Sequence, residues 1–214
     1  IDPNGGSPHV ICDAPDARGG AWGNDGVIVF TPQLVGPLSR VSANGGEAVA
    51  ATTLEPSRQE ISHRLPSFLP DGRHFLFLVQ SGTQATSTVR VGSVDSTDTQ
   101  PLGIVGTDAI YAQGFLLFRR DESLMAQPFD LPSLQLTGTP VALGDQVASR
   151  NTVYGDAVFS VVENGTLAYW NGGPLLTDVT WFSRKGEPLG TLGAGRSTYS
   201  LALSPDERTV VVEM

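Results

Sequence analysis

A segment of two short apolar strands joined by a polar turn recurs along this 214-residue chain about every 40 to 50 residues. The turns of the successive copies contain Gly26, Gly72, Gly114, Gly165 and Glu207, within GNDGVIVF, LPDGRHFLFL, AQGFLLF, ENGTLAYW and SPDERTVVV. No segment has a convincing apolar stripe of helical period. A repeat of this length that carries only strand signals predicts an all-β fold of similar units.

A second hairpin follows most of these segments, as in LSRVSANGGEAVA after the first turn and TVRVGSVDSTDTQPLG after the second. Asn-Gly between alternating segments is a strong hairpin signal, and Asn44-Gly45-Gly46 has a counterpart at Asn4-Gly5-Gly6. Each unit therefore has four antiparallel strands. Four-stranded units at this period predict a β-propeller, in which such units are the blades.

The predicted domain is a single propeller or propeller fragment over residues 1–214, with about five blades represented and the first and last incomplete. The predicted blade units are approximately 1–15 (partial), 19–54, 63–105, 108–144, 155–194 and 197–214 (partial). The incomplete units predict a piece of a longer propeller or a permuted one. Closure within one chain, or in a homodimer that completes the half-blades, would cover the open strand edges.

The charge balance excludes one class of partner. The chain has 22 acidic and 13 basic residues and a formal net charge of -9, whereas nucleic-acid binding depends on Lys and Arg. Its apolar runs are short, so no membrane insertion is expected of this segment. The single cysteine, Cys12, cannot form an intrachain disulfide, and with only three histidines we expect neither a metal site nor a cofactor.

Two groups of residues resemble a known family. The turns of LPDGRHFLFL and SPDERTVVVEM resemble the Pro-Asp-Gly repeat of TolB-type, WD-repeat-like bacterial propellers. The stretches RGGAWGNDGVIVFTP, LSRVSANGGEAVAATTLEPSRQEISHRLPSFLPDGRHFLFL and TWFSRKGEPLGTLG are similar to the extracytoplasmic propeller found C-terminal to the kinase domain of bacterial serine/threonine protein kinases. The likeness extends from Pro3 to Met214 and is weakest in the third and fourth blades.

The resemblance implies a sensor or scaffold module of the kind that belongs to a receptor-like kinase. It also implies an extracytoplasmic or periplasmic location, with a cytoplasmic location as the alternative. The chain itself contains none of the kinase motifs: no glycine-rich phosphate loop, no Val-Ala-Ile-Lys-like strand and no Asp-Phe-Gly. We therefore do not expect it to transfer phosphate.

Charged residues concentrate in EPSRQEISHRLP, which the repeat places in a loop at one mouth of the propeller channel. Loops on a rigid scaffold commonly carry binding residues. The matching loop of the first blade, CDAPDARGGAW, has a similar layout. From these two loops we predict six ligand-binding residues, Asp16, Arg18, Arg58, Glu60, His63 and Arg64. The alternative is that they form ion pairs and hydrogen bonds that hold one blade to the next.

The function that these observations predict is non-catalytic binding of a protein or a small molecule. The alternative is a hydrolase-type propeller enzyme with its site at the channel mouth. Such an enzyme would need titratable groups facing the channel, but the predicted inner strands GGAWG, PSFLP, DAIYA, AVFSV and YSLAL are apolar and small. The chain also lacks a Gly-x-Ser-x-Gly nucleophile elbow. We therefore expect no enzymatic activity.

Overall fold

The computed structural model describes most of the first 170 residues and parts of the remainder. The described residues are 10–82, 86–151, 156–161, 166–170, 177–182, 185, 187–196, 200–203 and 210–213. They form antiparallel strands and one short 3-10 turn, Pro56–Arg58. The prediction of an all-β fold with four-stranded antiparallel sheets is confirmed. The chain divides into two compact units, Ile1–Trp170 and Asn171–Met214.

The first sheet of the N-terminal unit is a four-stranded meander. Its strands are β1 (Gly20–Trp22), β2 (Val27–Phe30), β3 (Ser39–Ser42) and β4 (Val49–Ala50), in that spatial order. The hairpin predicted at Asn44-Gly45-Gly46 is confirmed, because β3 and β4 pair antiparallel and the Gly45 N–H donates to the Ser42 carbonyl at 2.9 Å. Its counterpart at residues 4–6 lies outside the described residues.

The second sheet has the same order and contains the longest strand of the unit. Its strands are β5 (Glu60–Phe68), β6 (His74–Ser81), β7 (Thr88–Ser93) and β8 (Gln100–Val105). Asp71 shapes the turn between β5 and β6, since its Oδ1 accepts the backbone N–H groups of Arg73 and His74 and its Oδ2 accepts His74 Nδ1–H at 2.6 Å. Burial raises the pKa of Asp71, but these hydrogen bonds outweigh it and the pKa lies below its ordinary value.

The third sheet has a divided outer strand. Its first three strands are β9 (Ala109–Ala112), β10 (Phe115–Arg120) and β11 (Ser123–Asp130). Two short strands, β12 (Gln135–Leu136) and β13 (Val141–Gly144), both pair with β11, each along a different half. Pro140 lies between them, and proline has no N–H to donate to a sheet.

The other described strands form two-stranded hairpins. The N-terminal unit also contains β14 (Ser149–Asn151) paired with β15 (Asp156–Ala157), and β16 (Phe159–Val161) paired with β17 (Leu167–Tyr169). The C-terminal unit contains β18 (Thr177–Phe182) paired with β19 (Pro188–Arg196), and β20 (Ser200–Leu203) paired with β21 (Val210–Glu213).

Within the N-terminal unit, sheets that follow one another in the sequence pack face to face. Strand β6 is buried on both faces: Phe75 and Phe77 join a cluster with Val29 of the first sheet, whereas Leu76 joins a cluster with Leu116 of the third. The alternation follows from the two-residue period of a strand. A third apolar cluster joins the third sheet to the hairpin β16–β17 through Ala112, Leu117, Ala126, Phe159, Val161 and Leu167.

A glycine on β7 makes room for a core aromatic ring. Gly92 pairs with Phe75, and a Cβ at Gly92 would lie 2.7 Å from two atoms of the Phe75 ring. Phe75 is fully buried and its ring contacts those of Phe68 and Phe77, so it cannot move aside freely.

We expect Gly92→Ala to lower the free energy of unfolding by about 1–3 kcal/mol, because the added methyl group overpacks the core. Chemical denaturation followed by tryptophan fluorescence measures the change. The matched control is Gly82→Ala, where a Cβ would meet only Gln59 Oε1 at 4.0 Å. Equal effects of the two substitutions would contradict the packing account.

Candidate functional site

The charged segment that the sequence places in a channel-mouth loop is mostly a strand. Only Pro56–Arg58 forms a turn, and β5 begins at Glu60 and pairs with β6 as far as Phe68. The prediction of a loop over residues 55–66 is therefore wrong. The physical reason is that polar side chains of this segment bind one another, and a polar strand can be buried when its groups find partners.

The structure separates the six predicted binding residues into a buried set and an exposed set. Glu60, His63 and Arg64 are buried on β5, at the seam where the second sheet packs against the first. On the surface, Arg18 pairs with Asp16 at 2.6 Å. The six side chains do not form one open surface, and ligand binding by them stays a prediction.

Arg58 joins the surface to this seam through a carboxylate. Its Nε lies 2.8 Å from Glu55 Oε2, while Glu55 Oε1 lies 2.9 Å from Arg90 NH1. The hydrogen bond from Arg90 holds the pKa of Glu55 below its ordinary value, although burial opposes the shift. The buried arginine thus has an ionised partner that reaches solvent.

His63 lies at the centre of the buried set and contacts a hydroxyl and a carboxylate. Its Nδ1 is 2.7 Å from Thr52 Oγ1, and its Nε2 is 3.3 Å from Glu60 Oε2. Because the Glu60 carboxylate can only accept, we assign the hydrogen to Nε2, and Thr52 then donates its hydroxyl to Nδ1. Thr52 Oγ1 also accepts the Leu38 N–H at 2.9 Å, which ties the histidine to the first sheet.

Arg90 on β7 completes the cluster, and the sequence analysis did not single it out. Its NH2 lies 2.9 Å from Glu60 Oε1, and its NH1 donates to Glu55 and to Thr99 Oγ1 at 3.1 Å. The NH2–Glu60 approach is an ion pair without hydrogen-bond geometry, and Arg90 Nε has no hydrogen-bond partner among the described residues. The one available signal was a charged residue inside the apolar strand TVRVGS.

Burial lowers the pKa of His63, and the positive charge of Arg90 lowers it further, whereas Glu60 opposes both by its hydrogen bond and charge. The imidazole is therefore neutral at neutral pH, in agreement with the tautomer assigned above. Its ring also packs on Phe77, with the centroids 4.9 Å apart.

Arg64 holds an exposed loop of the first sheet against β5. Its Nε donates to Ser62 Oγ at 2.8 Å and its NH2 donates to the Leu34 carbonyl at 2.9 Å. Main-chain hydrogen bonds also cross this seam. The Gly36 carbonyl accepts the His63 N–H at 2.9 Å, and the Gly36 N–H donates to the Ile61 carbonyl at 3.0 Å. The buried polar side chains therefore lie where two sheets are joined by main-chain hydrogen bonds.

The contacts Thr52–His63–Glu60 follow the hydroxyl–imidazole–carboxylate order of a catalytic triad. Two observations argue against that role. Thr52 and His63 are both 0% exposed, so a substrate cannot reach the hydroxyl in this conformation. The hydroxyl oxygen is also occupied by the Leu38 N–H. The arrangement satisfies buried polar groups and joins two sheets.

Over the part of the chain that the structure describes, no three His, Cys, Asp or Glu side chains come close enough together to hold a metal ion. Among the same residues, no helix has the length and apolar character needed to span a membrane. No model of a known protein family and no curated protein sequence matches this chain.

The depressed pKa of His63 predicts a loss of stability in mild acid. Unfolding returns the pKa of the imidazole to its ordinary value of 6.5. Below that pH the unfolded chain therefore binds a proton that the folded chain does not bind. We expect the free energy of unfolding to fall from about pH 6.5 downward, by up to about 1.4 kcal/mol per pH unit. Denaturation across pH measures the slope.

His63→Gln is expected to reduce that slope, whatever its effect on stability at pH 8. Glu55 and Asp71 also have lowered pKa values, but their ordinary values of 4.5 and 3.8 place their contributions at lower pH. An unchanged slope between about pH 6.5 and pH 5 in the variant would contradict the assignment to His63.

Breaking the buried ion pair should cost far more than breaking the exposed one. Glu60→Gln leaves the Arg90 guanidinium buried without its inner counterion, and we expect a loss of roughly 3 kcal/mol in the free energy of unfolding. Asp16→Asn makes the same chemical change at the surface partner of Arg18 and should cost less than about 1 kcal/mol. Denaturant titrations of both variants make the comparison, and losses of similar size would contradict it.

Proposed function

We propose that this chain is a non-catalytic binding module built as a β-propeller, with its stacked sheets as blades. Three features support the architecture: the four-stranded repeat in the sequence, the meander order of the first two sheets, and the packing of consecutive sheets face to face. In each of the first three sheets, the first strand in sequence lies at one edge, as the inner strand of a blade does.

One observation carries the non-catalytic role. The cluster with the composition of an active site, Thr52, Glu60, His63 and Arg90, is buried, and its reactive atoms bind one another or the backbone. A general base must reach the proton that it removes, and here the imidazole has both nitrogens engaged within the seam. These residues are better suited to fixing blade geometry than to turning over a substrate.

The resemblance to the propellers of bacterial receptor-like kinases suggests the setting of this role. In that setting the module would bind a protein or a small molecule outside the cytoplasm, and a rigid scaffold would hold its loops in place. Rigid loops favour binding because little conformational entropy is lost when the ligand binds.

A hydrolysis assay distinguishes the proposed binding module from the alternative, a propeller enzyme. Chromogenic esters, lactones and glycosides are incubated with the wild type, with His63→Gln and with His74→Gln as a control at a partly exposed histidine. We expect no hydrolysis above the buffer rate in any of the three. Saturable hydrolysis by the wild type and His74→Gln, lost in a folded His63→Gln protein, would contradict the proposal.

A crystal structure tests the architecture independently of the ligand. The proposal requires the consecutive sheets to radiate from one common axis. Two sheets facing each other across a single core, as in a sandwich, would contradict it.

A further inference from the structure

A cleft of about 450 Å3 opens beside the second and third sheets of the N-terminal unit, away from the buried cluster. Residues at the end of β8 and just after it form one wall, and residues at the end of β10 and just after it form the other. These residues are Gly103, Val105 and Gly106 on the first wall, and Phe118, Arg120 and Asp121 on the second. The volume falls in the range of small-molecule sites.

The second wall carries a cation held in place by an aromatic ring. Arg120 Cζ lies 5.4 Å from the centroid of the Phe118 ring, which is a cation–π distance, and Phe118 itself is fixed in the core. Side chains two residues apart on a strand share a face, so Arg120 lies on the Phe118 side of β10. No described carboxylate forms an ion pair with Arg120.

Arg119 also borders the cleft, but the Nε of its guanidinium is bound to the backbone. It lies on the opposite face of β10 from Arg120, and its Nε donates to the Val147 carbonyl at 2.7 Å. Arg120, which lies on the Phe118 side of β10, is therefore the cation that we assign to the site.

The residue after Arg120 brings a carboxylate to the same wall of the cleft. Asp121 follows Arg120 in a left-handed conformation, with φ 55°, and forms no ion pair with a described cation. A plain anion would meet both this carboxylate and the chain's net charge of -9. A zwitterion can place its carboxylate on Arg120 and its ammonium on Asp121 without adding net charge.

The first wall supplies space and an apolar contact. Gly103 and Gly106 have positive φ values, which residues with a Cβ rarely adopt. A Cβ at Gly103 would meet no atom within 4 Å, so there is open space at this wall. Val105 is 51% exposed, which is high for a valine in a strand. An apolar ligand side chain would cover it.

We propose that this cleft binds a free α-amino acid with an apolar side chain. Arg120 holds the carboxylate, Asp121 holds the ammonium group, and Val105 contacts the side chain. The inference rests on the proposed function, since it names the ligand class of a binding module.

The test is isothermal titration of the whole chain with L-leucine, N-acetyl-L-leucine and L-leucinamide. The first compound has both charges, the second lacks the ammonium group and the third lacks the carboxylate. We expect saturable binding of leucine and at least about tenfold weaker binding of each derivative, because each loses one charge-assisted contact. No saturable binding of leucine at millimolar concentration, or equal binding of all three compounds, overturns the proposal.

Variants assign the contacts. Arg120→Gln should weaken leucine binding about tenfold or more but leave leucinamide binding unchanged, since that compound has no carboxylate to lose. Asp121→Asn should weaken leucine binding and leave N-acetyl-leucine binding unchanged. The matched control is Arg40→Gln on β3 of the first sheet, which removes the same charge outside the cleft lining and should leave leucine binding unchanged.

The thermal unfolding of every variant is measured first, so that a folding defect is not read as lost binding. Equal losses in Arg40→Gln and Arg120→Gln overturn the site while leaving the binding-module proposal intact. Hydrolysis that depends on His63 overturns the proposed function whatever the titrations show.

Discussion

The ion pair between Glu60 and Arg90 constrains the second sheet, and through His63 and Thr52 it also constrains the junction of that sheet with the first. Removing two charges from water costs several kcal/mol per ion, and only close pairing with further hydrogen bonds offsets this cost. Glu60 Oε2 accordingly accepts the Glu55 N–H at 2.7 Å and contacts His63, while Arg90 also reaches Thr99. The pair thus requires strand β5, strand β7 and the turn before β5 to keep one geometry.

The same cluster explains why a polar strand lies in the interior. Strand β6 is buried by apolar side chains on both of its faces, and these side chains are held by packing. Hydrophobic contacts tolerate small shifts, whereas hydrogen bonds between buried groups fail within a few tenths of an ångström. The polar strand β5 therefore adds directional contacts to the seam, and these specify one register between the first sheet and the second.

Strands and turns could be predicted because their signals are local. Alternating apolar residues and turns such as Asn44-Gly45 depend on neighbours within a few positions, so the all-β fold and the β3–β4 hairpin follow from the sequence. The role of EPSRQEISHRLP could not be read in this way. Its polarity resembles that of a loop, and its partners Thr52 and Arg90 come from other parts of the sequence.

In the candidate site, too, local contacts could be predicted from the sequence and contacts between distant residues could not. Sequence reasoning grouped Glu60 and His63 in one set of binding residues and raised the alternative that they hold neighbouring blades together. A spacing of three would put them on opposite faces of a regular strand, and they meet where the pairing of β5 is irregular between Glu60 and Ser62. Sequence reasoning could not find Arg90, whose contact with Glu60 spans thirty positions of chain and a whole strand of the sheet. The cleft beside Arg120 was invisible for the same reason, since its two walls meet only after β8 and β10 are in place.

The divided outer strand of the third sheet has a consequence for solubility. Its two pieces, Gln135–Leu136 and Val141–Gly144, present Val141 and Leu143 to solvent, a combination that invites edge-to-edge aggregation in a long regular strand. The break at Pro140 leaves no uninterrupted ladder on which a foreign strand could extend. The outer edge of the sheet is therefore apolar and exposed, but each of its two strands is too short to pair with another chain over the length that amyloid-like growth requires.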